Sequence, residues 1–129
     1  MLEVKNLMVF FENSLAINDL SLHVEKGEIV GVLGSNSAGK TTLMNTISGL
    51  MLDMKKKEDR RGGERITVVG ALTFEGKDIT QTKPSVRVKK GIVLSRERHP
   101  VFPDSSVAEN LKIATYTRKD SDIKKSFEW

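Results

Sequence analysis

The feature that most constrains this chain is a glycine loop set between two segments of different pattern. Gly34-Ser35-Asn36-Ser37-Ala38-Gly39-Lys40-Thr41 satisfies G-x-x-x-x-G-K-[ST]. Ahead of it lies Ile29-Val30-Gly31-Val32-Leu33, nearly all apolar, which predicts a parallel strand covered on both faces. Behind it Leu43, Met44, Ile47, Leu50 and Met51 recur at helical spacing, which predicts a helix over 40–51. Strand, glycine loop and helix is the context in which this pattern cradles phosphate.

The residue types follow from that chemistry. Glycines let the backbone wrap closely, so the N–H groups of Asn36, Ser37, Ala38, Gly39, Lys40, Thr41 and Thr42 can turn toward phosphate oxygens, with the helix N-terminus adding partial positive charge. Lys40 is placed for the β and γ phosphates, the Thr41 hydroxyl for Mg²⁺, and Thr42 for the α phosphate. A glycine turn with a chance lysine is the bland alternative, and the agreement of motif with context argues against it. The cradle reads phosphate rather than base, so ATPases, GTPases and nucleotide kinases all stay open.

The flanking pattern gives the rest of an α/β chain. Leu2, Val4, Leu7 and Val9 lie close to alternation, and Leu15, Ile17, Leu20, Leu22 and Val24 repeat it after a turn at Glu12-Asn13-Ser14, predicting an antiparallel opening. Residues 53–64 are charged, contain Gly62-Gly63 and lack apolar periodicity, so a mobile connector with the length of an insertion is expected. Residues 66–74 read as a strand and 75–78 as its turn. A short basic helix over 85–90 ends at Gly91, and Ile92-Val93-Leu94 reads as a second buried strand. Pro100 and Pro103 break the chain, and Ser106-Val107-Ala108-Glu109 matches a capping box that starts a last helix.

Composition narrows the function classes. The 129 residues suit one modest domain, and 38 % hydrophobic with 29 % charged is ordinary for a globular chain. No apolar run reaches the roughly 18 residues that cross a bilayer, and the first residues do not form a secretion leader, so a cytosolic location is expected. With no cysteine, disulfides and thiolate metal sites are excluded. Much of the net charge of +4 sits in 54–65, where six Lys/Arg face three acids; a solvated loop is the expected reading, and a patch for a nucleic-acid backbone is the alternative.

The flanks resemble the ATP-binding subunits of ABC transporters over essentially the whole chain. The likeness rests on Leu2-Glu3-Val4-Lys5-Asn6-Leu7, on Ala16-Ile17-Asn18-Asp19-Leu20-Ser21-Leu22, and on Gly27-Glu28-Ile29-Val30-Gly31-Val32-Leu33-Gly34. Phe74-Glu75-Gly76-Lys77-Asp78-Ile79-Thr80, the run from Gly91 to Pro103, and Val107-Ala108-Glu109-Asn110-Leu111 look like the branch that energises branched-chain amino acid import. The resemblance implies an ABC-type P-loop nucleotide hydrolase fold, with an N-terminal antiparallel sheet and a partial parallel core. It implies ATP and Mg²⁺ as cofactors, with Phe11 stacking on adenine and Glu97 on the metal-sensing position where most of the family carry glutamine. The implied partners are membrane permease subunits and a second ATP-binding subunit, on the cytosolic face, and no nucleic acid.

This sequence departs from the family at several points. Ser37 stands where glycine is usual, which strains the loop if that position needs a glycine-like backbone. Arg96, Arg98, His99 and Pro100 replace the usual residues around Glu97, putting its coupling role in doubt; His99 reads as an exposed loop residue and His23 as a structural one. The family's domain is about twice as long, and its second half supplies the signature motif, the Walker B aspartate, the catalytic glutamate and the switch histidine. None of these is found here, so slow hydrolysis, exposed apolar surface and marginal stability are expected. The alternatives are a nucleotide-binding remnant or split-gene piece and, from the basic run alone, a DNA-associated ATPase.

Overall fold

The computed structural model of the chain describes residues 1–97 and 101–116. It comprises two compact units, Met1–Leu94 and Ser95–Trp129. The first holds a four-stranded antiparallel sheet in the order β2-β1-β3-β4, built from β1 (Leu2–Phe11), β2 (Ser14–Val24), β3 (Ile66–Phe74) and β4 (Lys77–Asp78). Three helices accompany it: α1 (Lys40–Ser48), α2 (Leu50–Arg61) and α3 (Pro84–Lys89). The second unit contains α4 (Val107–Ala114).

The antiparallel opening forms as the alternation requires. Val4, Leu7 and Val9 of β1, Ile17 of β2 and Ile66 and Leu72 of β3 point to one face and are buried with Leu43, Met51 and Ile79. The tight turn at Glu75 and Gly76, both with positive φ (50° and 71°), matches the twist of the β3–β4 ribbon.

An irregularity crosses three strands at one level. Asn6 and Asp19 both take left-handed φ (47° and 46°), and the register shifts between Val4 and Leu7 and between Lys5 and Met8. The Asn6 side chain donates to Asp19 Oδ1 (3.0 Å), and the Asn6 N–H to Ser21 Oγ (2.9 Å). Gly70 of β3, at φ 118°, faces this bulge: a Cβ there would lie 2.8 Å from the carbonyl oxygens of Lys5 and Asn6. Only glycine fits that approach.

Three sequence expectations are corrected. Residues 53–61 are helical, not a mobile connector: Gly49 and Gly62, both left-handed (φ 86° and 63°), bracket α2, and Asp53 in its first turn and Arg60 and Arg61 in its last complement the helix dipole. Lys, Glu and Arg are good helix formers, so the lack of apolar periodicity marked an exposed helix rather than a loop. The helix expected over 40–51 likewise divides at Gly49 into α1 and α2.

The buried strands expected at 29–33 and 92–94 are not paired among the described residues. Ile29 and Leu33 are 97 % and 95 % exposed and Val93 is 75 % exposed, while Val32 and Ile92 pack on the core. Apolar composition proposes a covered strand, but covering requires neighbours on both edges and faces. The strand at 66–74 and the helix begun by Ser106 stand where the sequence places them, and the short basic helix expected over 85–90 forms as α3 with Gly91 at φ 101° behind it.

Arg87 of α3 joins these parts and has no signature in the sequence. It is 1 % exposed, and its guanidinium donates only to main-chain carbonyls: Nε to Thr82 (2.8 Å), Nη1 to Thr46 (2.8 Å) and Ile47 (2.9 Å), and Nη2 to Ile79 (2.6 Å) and Thr80 (3.1 Å). Every donor of the fork is met, which is the condition for burying a cation without a carboxylate against it.

Candidate nucleotide-binding site

The loop between 33 and α1 is shaped by two residues with left-handed backbone. Ser37 takes φ 67° and Gly39 φ 85°. A Cβ on Gly39 would lie 2.5 Å from the Ala16 carbonyl oxygen of β2, so the loop passes too close to the sheet for any side chain. A Cβ on Gly34 would meet the Ala38 Cβ at 3.0 Å, and the Ala38 N–H closes a turn on the Ser35 carbonyl (3.2 Å).

Lys40, the first residue of α1, folds back across the loop. Its Nζ donates to the carbonyls of Gly34 and Ser35, both at 2.6 Å, which places the ammonium over the mouth of the turn. The first turn of α1 closes when the Leu43 N–H reaches the Gly39 carbonyl (2.9 Å). One residue after another before it, the N–H groups of Lys40, Thr41 and Thr42 have no acceptor among the described residues, because α1 has no side-chain cap and no acid in its first turn. Orphan donors, the positive end of a helix and a lysine thus converge on one spot, an arrangement suited to an anion.

Beside the loop is a cleft of 280 Å³ whose walls include Ala16, Asn18 and Leu20 of β2, Val32, and Gly39 and Lys40 of the loop. The sequence reading named the loop but not the β2 side of this cleft. Period-two alternation picks out Ile17 and Leu20 of β2 and assigns no role to Ala16 and Asn18.

Of the remaining expected site residues, Thr41 and Thr42 follow Lys40 in the first turn of α1. Phe11 ends β1, is half-buried and packs on the core, opposite Ser14 and Ile66 in the sheet. Thr41 is exposed and Thr42 half-buried, the latter's carbonyl accepting from the Thr46 hydroxyl (2.8 Å). Glu97 is exposed and belongs to the second unit, and His99 lies outside the described residues. Among the described residues no group of three His, Cys, Asp or Glu side chains is placed to hold a metal alone. A metal at the loop would need phosphate oxygens beside the Thr41 hydroxyl.

Comparison with known proteins settles the family. The ABC transporter family matches residues 17–129. The chain belongs to the ABC transporter family. A probable branched-chain amino acid transport ATP-binding protein LivG of Archaeoglobus fulgidus is 38 % identical over 113 residues, covering 88 % of this chain and 38 % of that protein. A spermidine/putrescine import ATP-binding protein PotA of Bacteroides thetaiotaomicron is 30 % identical over 118 residues, covering 92 % of this chain and 22 % of that one. The crystal structure of a nucleotide-free ATP-binding cassette from an ABC transporter superposes with a TM-score of 0.62 at 21 % identity, over 99 % of this chain and 51 % of that chain.

This ABC transporter family chain thus has the fold of an ATP-binding cassette and spans 38 % and 22 % of the lengths of those two relatives. Among its described residues no helix is long and apolar enough to cross a membrane.

Proposed function

We propose that the chain is the N-terminal portion of an ATP-binding subunit that energises an importer, with branched-chain amino acids as the cargo class. The observation that carries this reading is the loop geometry. Lys40 Nζ bridges the Gly34 and Ser35 carbonyls at 2.6 Å, directly before three helix N–H groups with no acceptor among the described residues. The cargo class is supported by the 38 % identity to the LivG relative, against 30 % to the PotA relative.

In this reading each group has one task. The N–H groups of Lys40, Thr41 and Thr42 would hold phosphate oxygens, and Lys40, released from its two carbonyl partners, would hold the β and γ phosphates. Thr41 presents its hydroxyl to Mg²⁺, Phe11 offers its exposed edge to the base, and Glu97 stands on the metal-sensing position that couples to the permease. When bound, Mg²⁺-ATP supplies the phosphoanhydride whose cleavage drives transport. A second ATP-binding subunit and a membrane permease complete the assembly, which places the chain on the cytoplasmic membrane face.

A second reading, a cradle that holds nucleotide without turning it over, is favoured by Ser37 at φ 67°, where a side chain costs the loop about 1 kcal/mol. Uptake of labelled leucine and of labelled spermidine, in cells carrying the chain's gene with its permease, separates these readings. Leucine uptake abolished by Lys40→Ala supports the importer; spermidine uptake in its place contradicts the cargo class. Unchanged uptake in Lys40→Ala, with nucleotide still bound by the unmutated chain, supports the second reading.

A further inference from the structure

Folding residues 50–61 as a helix sorts charges that the sequence mixes. At about 100° per residue, Lys56, Lys57, Arg60 and Arg61 fall within an arc of roughly 140° that also holds Asp53, while Glu58 and Asp59 fall outside it. All four cations are exposed, and among the described residues none has a carboxylate at ion-pair distance. They line a shallow groove of 430 Å³ in which Asp53, in the first turn, is the acid. Met51, on the opposite side, is buried in the core and fixes which way the basic face points.

Unpaired cations on a fixed face are an invitation to an anion. Asp53 offsets one of the four cations, so the face keeps a net positive charge, and Glu58 and Asp59 lie off it. The face is open rather than pocket-like, its four cations spread over about 8 Å of the helix axis. No aromatic side chain occurs in α2 to stack a nucleobase. Met54, 40 % exposed, borders the basic arc on the side of Arg61 and adds an apolar edge of the kind that settles among lipid headgroups.

We propose that this face of α2 docks on an anionic phospholipid surface, holding the first unit against the membrane through Lys56, Lys57, Arg60 and Arg61. The choice of a membrane over other polyanions rests on the transporter reading above, which brings the chain to a bilayer. The attraction is electrostatic, weakens with salt, and adds to contacts made with a permease.

The test is sedimentation of the full chain with phosphatidylcholine vesicles, with and without about one-third phosphatidylglycerol. Pelleting with the anionic vesicles alone is expected, falling as salt is raised. Replacing Lys56, Lys57, Arg60 and Arg61 by Gln should weaken it about fivefold per charge removed. The change Lys89→Gln with Lys90→Gln at the end of α3 should leave it within about twofold, since those residues lie off the face. Circular dichroism confirms that each variant retains its helices, and Mg²⁺-ATP binding is measured on the same samples, so a failed nucleotide reading is seen separately. No preference for anionic vesicles, or equal loss in the α3 variant, overturns the proposal. So does tighter binding, through the same four residues, to polyglutamate or duplex DNA than to anionic vesicles.

Discussion

Arg87 donates through Nη1 to the Thr46 carbonyl at 2.8 Å, so a buried cation closes the end of the helix that begins with Lys40. The same fork binds Ile47, Ile79, Thr80 and Thr82, fastening the end of α1 to the segment leading into α3. Helix C-termini favour a positive charge, and α1 has no basic residue in its own last turn. Arg87 supplies that charge from 40 residues further along the chain.

Replacing Arg87 by Met leaves the chain's volume nearly intact but takes a charged donor from five carbonyls, those of Thr46 and Ile79 in buried hydrogen bonds. The expected loss is about 3 kcal/mol or more, read as a lower urea midpoint, with Arg87→Lys intermediate because three donors replace five. An unchanged midpoint would mean that the network is dispensable.

Gly39→Ala should displace the loop from β2, because its Cβ would meet the Ala16 carbonyl oxygen at 2.5 Å and φ is +85°. A loss of about 1–3 kcal/mol and of nucleotide affinity by tenfold or more is expected. Gly31→Ala, with nothing within 4 Å of its Cβ and no positive φ, is the control that should leave loop geometry unchanged.

Ser37→Gly tests the strain directly. At φ 67° glycine carries no Cβ penalty, so the variant should gain about 0.5–1 kcal/mol and bind nucleotide more tightly. Equal melting temperatures and equal affinities would show that the serine costs the loop nothing.

Much of the fold was legible because its signals are local. The antiparallel opening, the strand at 66–74 and the capping box of Ser106 and Glu109 are written in spacing of two, in turn residues and in a four-residue motif. The glycine loop was legible for the same reason. What escaped depends on distant partners. Arg87 belongs to a basic segment with Lys83, Lys89 and Lys90 and looks like any surface cation, and its burial follows from carbonyls that α1 and the β4–α3 segment bring together. Residues 53–61 were misread because charge without periodicity fits an exposed helix as well as a loop, and Gly49 and Gly62 decide between them. Residues 29–33 were misread in the opposite sense, since an apolar run names a strand's composition but not its neighbours.

Acid should loosen both units through particular carboxylates. Hydrogen bonds from the Thr80 hydroxyl and N–H, the latter at 2.7 Å, hold the Asp78 carboxyl below its ordinary range, with Arg87 adding a smaller pull. The Ser106 hydroxyl and N–H, both at 2.8 Å, do the same for Glu109. A folded-state pKa below the unfolded one contributes stability that is present above about pH 4–5 and is lost as pH falls through the lowered value. Urea midpoints should therefore hold steady from pH 7 to about pH 5 and decline below it, with a shallower decline in Asp78→Asn. A midpoint that rises on acidification would contradict the assignment.

The central claim is that the loop from Gly34 to Thr42 binds nucleotide phosphates through Lys40 and the start of α1. Isothermal calorimetry of Mg²⁺-ATP with the full chain, beside Lys40→Ala, tests it most directly. Saturable binding by the unmutated chain, weakened at least tenfold in Lys40→Ala while circular dichroism shows the same helices, is the expected result. Binding of equal strength in the two proteins, or none in the folded unmutated chain, would contradict it.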